Sequence, residues 1–140
     1  MKSNLKFSML FVAIRNVFKN LTDNGLKEMN ITSSQMNVLF YICNTETEVN
    51  QKDIEKNLYL KSSTVTDILN RMENNGFIYR SVSEKDGRYK KIQLTDKGRN
   101  IYENLLQKAI TFETYLTKGM SKGESEMLFE LLQKVLNNIT

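Results

Sequence analysis

The chain has 140 residues, of which 40% are hydrophobic and 26% charged, with 20 Lys and Arg against 16 Asp and Glu for a net charge of +4. That length makes one ordinary domain with a real core, the balance fits a soluble globular protein, and no apolar run approaches the roughly 20 residues needed to span a bilayer. Histidine is absent and Cys43 is the one cysteine, which excludes His-based hydrolysis, His-rich metal sites and an intrachain disulfide, and points to a reducing, cytoplasmic setting.

Proline is absent too, so long uninterrupted helices are permitted. Leu5, Met9, Leu10, Val12, Ala13, Val17, Phe18 and Leu21 form a helical stripe. Its apolar centre is broken by Arg15 and Lys19 and has no small-residue cleavage site, so it reads as a helix, not a signal peptide. Gly25 can end it. Thr32 and Gln35 have capping-box spacing ahead of Met36, Leu39, Phe40 and Cys43, a second apolar helix. Thr47 to Val49 reads as a very short strand, and Asn50 as the cap of a short helix to about Asn57 with Ile54 and Leu58 facing in. Another helix is expected from about Ser62 to Asn75, stopped by Gly76. Ile78 to Gly98 reads as two strands around the tip Glu84-Lys85-Asp86-Gly87-Arg88, then a helix start at Thr95. Two long amphipathic helices finish the chain, carried by Ile101, Tyr102, Leu105, Leu106, Ala109, Ile110 and Phe112, and by Leu128, Leu131, Leu132, Val135, Leu136 and Ile139, with a break near Gly119 to Gly123. Their apolar faces and that of the first helix exceed what a small partner unit can cover, so pairing with a second copy is expected over a closed intrachain bundle.

A polar-faced helix followed by a basic hairpin is a device for gripping double-stranded DNA. Residues 80–99 hold seven Lys and Arg against three Asp and Glu, the whole of the chain's net charge, and clustered positive charge is what phosphate binding requires. On the 62–75 helix, Val65, Ile68, Leu69 and Met72 share one face and pack inward, while Ser63, Thr66, Asp67 and Asn70 point outward. Asn70 can read adenine, and hydroxyls can meet base edges or phosphates. Asp67 is expected to pair with a basic neighbour such as Arg71 or to orient a wing arginine, ahead of accepting from a cytosine amino group. The planar fork of Arg88 suits a minor groove or a phosphate, and Asp86 is placed to hold it. Lys85, Lys90 and Lys91 are expected at phosphates. A bland solvated basic hairpin is the alternative, as is a module whose wing binds an acidic protein.

The run Ser63-Thr64-Val65-Thr66 continuing to Leu69, Arg71 and Met72, the exit Asn75-Gly76-Phe77-Ile78, and Asp86-Gly87-Arg88 followed by Leu94-Thr95-Asp96-Lys97-Gly98 resemble the MarR family of bacterial transcriptional regulators over essentially the whole chain. The resemblance implies a mainly α fold with a small β-wing, a winged helix-turn-helix plus a helical dimerisation region. Its order would be helix, helix, strand, helix, helix, strand, wing, strand, helix, helix. Residues 31–95 would form the winged helix-turn-helix, and 1–30 with 96–140 the dimerisation region. It further implies a homodimer on a pseudo-palindromic operator, commonly a repressor released by a small-molecule effector or by thiol oxidation. The recognition helix would contribute Ser62, Ser63, Thr64, Thr66, Asp67, Asn70 and Arg71, and the wing Lys85, Asp86, Arg88, Lys90 and Lys91, with Arg88 entering the minor groove. Lys61 departs from the small capping residue often found before that helix, and a cation there suits a nearby phosphate.

Cys43 is a candidate redox switch, though a cysteine in such a stripe is more often core filler. Met9, Phe11, Met36 and Phe40 are candidates to line an effector pocket, with plain core as the alternative. No nucleophile–base pair, phosphate-cradling glycine loop or carboxylate cluster is evident, so neither an enzyme nor a cofactor is expected.

Overall fold

The computed structural model describes residues 3–140. A 3-10 turn (Ser3–Leu5) leads into α1 (Lys6–Leu26), and a second (Lys27–Met29) follows it. Then come α2 (Ser33–Cys43), α3 (Gln51–Asn57), α4 (Ser62–Asn74), β1 (Ile78–Val82), β2 (Lys90–Leu94), α5 (Asp96–Leu116) and α6 (Lys122–Ile139). The segment expected to begin the dimerisation region at residue 1 has its first two positions outside the described residues.

Side-chain caps fix where three helices begin. Thr32 Oγ1 accepts from Gln35 N while Gln35 Oε1 accepts from Thr32 N, both at 3.2 Å, which opens α2. Asn50 and Asp53 make the same exchange for α3, at 3.0 and 2.9 Å. Ser121 and Glu124 make it for α6, at 3.1 and 2.8 Å. Each exchange satisfies two N–H groups that a helix start leaves without an intrahelical acceptor.

Two expectations are corrected. Gly25 does not end α1; it has no positive φ, the helix runs through it to Leu26, and the turn to α2 is made by Asn30 in the left-handed region at φ 54°. Asn tolerates that region better than most side chains. Residues 47–49 form no strand; Val49 O instead accepts one backbone hydrogen bond from Ile92 N at 2.8 Å, too little for a ladder. The described sheet is therefore only β1 paired antiparallel with β2, from Ile78 opposite Leu94 to Val82 opposite Lys90. The break expected near Gly119 to Gly123 is present: α5 ends at Leu116, Gly119 has φ 84°, and Gly123 lies in the first turn of α6.

The chain divides into two compact units, Met1–Tyr102 and Glu103–Thr140. The first holds a core of Val38, Leu39, Ile54, Val65, Leu69, Met72, Phe77 and Ile78, with Val49 and Ile92 beside them. Residues from α2, α3, α4 and the hairpin thus bury one another, and burial of such side chains is the main drive for folding. α1 contributes little to that core. Phe7, Leu10, Ile14, Val17 and Leu21 remain exposed along it. The second unit comprises the rest of α5, the Gly119 turn and α6, and here Met127, Phe129, Leu131, Leu132 and Ile139 are exposed.

Candidate nucleic-acid interface

α3 and α4 form a helix-turn-helix whose turn is set by Tyr59, held at φ 54° without being glycine. Leu60 N reaches back to Glu55 O at 3.0 Å, which closes the end of α3 and aims the chain into α4. Past the end of α4 and its cap Asn75, Gly76 stands at φ 77°, with Gly76 N donating to Glu73 O at 3.0 Å and Phe77 N to Met72 O at 2.9 Å. This Schellman pair explains why glycine is needed at that position. The next joint is tighter. Thr95 N donates to Phe77 O at 3.1 Å, and Gly98 N donates to Thr95 Oγ1 at 3.0 Å. A Cβ on Gly98 would sit 2.1 Å from Phe77 O, so the first turn of α5 lies directly against the root of the wing.

Val65, Ile68, Leu69 and Met72 are buried, which leaves Ser63, Thr66, Asp67 and Asn70 on the exposed side of α4 together with Ser62, Thr64 and Arg71. The side chains of four of these residues have described partners. Thr66 Oγ1 accepts from Gln51 Nε2 of α3 at 2.8 Å. Asn70 Oδ1 accepts from Arg80 Nη2 of β1 at 2.7 Å. Asp67 Oδ2 lies 3.3 Å from Arg71 Nε, the i,i+4 pairing that the spacing suggested. Arg80 Nε stands 3.2 Å from Glu73 Oε2, an ion pair not aligned as a hydrogen bond. Lys61 supplies no side-chain acceptor to the start of α4, so the positive end of this helix is left to outside acceptors.

The wing tip is organised around Ser83. Its N–H donates to Tyr89 O at 2.9 Å, and its Oγ accepts from the N–H groups of Lys85 and Asp86 at 3.2 and 3.3 Å. The Ser83 hydroxyl donates in turn to Glu48, which also accepts from Glu84 N at 3.3 Å. Glu48, in the loop after α2, thereby clasps the wing to the helical body, and the hydroxyl holds its carboxyl below the usual range. Asp86 grips Arg88 with both oxygens, Nη2 at 2.7 Å and Nε at 3.0 and 3.2 Å, and accepts from Arg88 N at 3.1 Å. The guanidinium beside it lowers the Asp86 carboxyl pKa, and the carboxylate raises that of Arg88. Held this way, the Arg88 side chain is still 83% exposed. Lys85 and Lys90 are exposed near it. Lys91 is placed differently: its side chain is 17% exposed and its ammonium pairs with Glu84 at 3.3 Å.

The candidate recognition and wing residues therefore lie on α4 and the hairpin that follows it, within one unit. Sequence reasoning gave no role to Gln51, Arg80 or Glu48, whose partners lie 15, 10 and 35 residues away. The other candidates stand apart from this surface. Met9 and Phe11 are exposed on α1, whereas Met36 and Phe40 are half-buried on α2, where the Phe40 ring meets Tyr102 edge-on at 5.1 Å. Cys43 is half-buried at the end of α2, and desolvation raises its thiol pKa, against the pull of Arg99. That is opposite to the shift that favours a reactive thiolate. No described helix is long and apolar enough to cross a membrane.

The MarR family model matches residues 31–90, from the start of α2 to the start of β2. The HTH-type transcriptional regulator SarZ of Staphylococcus haemolyticus is 31% identical over 136 residues, covering 97% of this chain and 90% of that protein. Among solved structures, the S. aureus MepR–DNA complex superposes with a TM-score of 0.91 at 28% identity, covering 99% of this chain and 100% of MepR. A mutant E. coli MarR complexed with operator DNA gives 0.83 at 26% identity over 94% of each chain. With a relative this similar across nearly its whole length, and the family model lying on its helix-turn-helix and wing, the chain belongs to the MarR family of transcriptional regulators.

Proposed function

We propose that this protein is a homodimeric, sequence-specific DNA-binding regulator, with α4 in the major groove and the wing against the flanking backbone and minor groove. The observation that carries the reading is Arg88. Its guanidinium is fixed by the two oxygens of Asp86 and yet stands 83% exposed at the tip of a basic hairpin next to the polar face of α4. An arginine held in place but open to solvent loses little freedom on meeting a narrow groove or a phosphate. Ser62, Ser63, Thr64, Thr66, Asn70 and Arg71 form the recognition face, and Lys85 and Lys90 meet phosphates. Lys91, tied to Glu84, serves the wing's own structure first.

The dimer reading rests on the unpartnered apolar faces of α1 and α6. Contiguous apolar faces of this extent mark interaction surfaces. Residues 1–30 and 96–140 would form the dimerisation region and 31–95 the DNA-binding domain, acting as a repressor on an operator of two half-sites. Release by a small molecule fits the same scheme.

The test is selection of genomic DNA fragments by the purified protein, repeated with Arg88→Ala. The expected result is a two-fold symmetric site with half-sites about one helical turn apart. Arg88→Ala should bind it about tenfold or more weakly, the loss of a charge-assisted contact. Enrichment of no sequence by folded protein would sink the reading.

A further inference from the structure

An asparagine in the major groove usually reads adenine, because its oxygen accepts from the adenine amino group while its nitrogen donates to N7. Asn70 is not free to do this. Arg80 Nη2 donates to its Oδ1 at 2.7 Å. A guanidinium has only donors, so the oxygen of Asn70 must be the atom facing Arg80, and the amide NH2 is turned away from it. Arg80 is not a loose surface arginine. Its side chain is 23% exposed, and its Nε lies 3.2 Å from Glu73 Oε2. The positive charge beside the Asn70 oxygen repels an approaching adenine amino group, and it polarises the amide so that its hydrogens bind acceptors more strongly.

Thr66 carries the same bias. Gln51 Nε2 lies 3.4 Å from Ser62 O and 2.8 Å from Thr66 Oγ1. A backbone carbonyl only accepts, so the nitrogen of Gln51 faces both, and the Thr66 oxygen is the acceptor of that pair. Its own proton remains available to donate. Asp67 brings an acceptor to this face, but it is tied to Arg71 at 3.3 Å.

We infer that Arg80 sets the base preference of the recognition helix by making Asn70 a hydrogen-bond donor toward DNA, so that the position it reads is guanine, which presents acceptors at O6 and N7, rather than adenine. Arg80 is here a positioning residue that touches no base. This rests on the reading that α4 enters the major groove.

The test compares sites selected from random duplexes by the wild type, Asn70→Ala and Arg80→Met. The expected result is a symmetric pair of positions where the wild type selects guanine, Asn70→Ala selects nothing, and Arg80→Met moves toward adenine. A second arm needs only the wild type. Replacing that guanine by 7-deazaguanine, which lacks N7, or by 2-aminopurine, which lacks O6, should weaken binding about tenfold in at least one case, the size of a lost base contact. This arm stands even if Arg80→Met fails to fold. Adenine at the Asn70-dependent position, no Asn70-dependent position, no change of preference in folded Arg80→Met, or full tolerance of both analogues would each overturn the inference while leaving DNA binding intact. Failure of the wild type to enrich any site would overturn the DNA reading and this inference with it.

Discussion

The polar surface of α4 and the wing contrasts with the apolar faces of α1 and α6. On the first, Thr66, Asp67, Asn70, Asp86 and Lys91 are paired within the chain, so the surface is set before any partner arrives. On the second, Phe7, Ile14, Val17, Leu131 and Leu132 are exposed with nothing described to cover them. The polar groups of the first are satisfied within one chain, whereas the apolar side chains of α1 and those of α6 are left exposed. Polar groups can be prearranged by neighbours a few ångströms away, whereas an apolar face is satisfied only by another apolar face.

The sharpest way to break this contrast is to charge the apolar face of α6. Leu128→Glu with Leu132→Glu, one turn apart on α6 and both exposed, should convert a dimer to a folded monomer in sedimentation. Operator affinity should fall about 100-fold or more, because the second half-site no longer binds as a linked event. A dimer that survives with full affinity would place the interface elsewhere. Attacking the polar surface at its root is a smaller change. In Gly98→Ala the new methyl meets the Phe77 carbonyl, and urea unfolding should show a loss of about 1–3 kcal/mol, the usual cost of overpacking. Unchanged stability would mean that α5 shifts freely away from the wing. The smallest effect is expected at the turn before α4. Tyr59 is exposed and held at positive φ, so Tyr59→Gly should stabilise by about 0.5–1 kcal/mol, the relieved strain exceeding the entropy that glycine adds to the unfolded chain. A loss in thermal melting would show that the tyrosine ring contributes more than its backbone costs.

What could be read in advance was what is local in the chain. Thr32 with Gln35 and Asn50 with Asp53 are three residues apart, and that spacing by itself specifies a cap. Asp67 with Arg71 and Asp86 with Arg88 were visible for the same reason. Gly25 misled because a glycine is tolerated inside a helix, and the actual turn fell to Asn30. The supposed strand at 47–49 failed because the single bond from Ile92 to Val49 depends on how the hairpin folds back, which no short window contains. The resemblance supplied the winged fold and the wing arginine. It did not supply the brace from Arg80 to Asn70 or from Gln51 to Thr66, since each joins two elements whose side chains look unremarkable alone.

The Glu48 clasp bears on how far the wing can be treated as a separable part. Glu48 belongs to the loop after α2, yet it accepts from both Ser83 and Glu84. Exchanging residues 83–89 for the loop of another regulator would strand that carboxylate unless the incoming loop brought its own hydroxyl to the same place. Transplanting the tip's specificity therefore means moving a discontinuous unit, with position 48 travelling alongside a segment that begins 35 residues later.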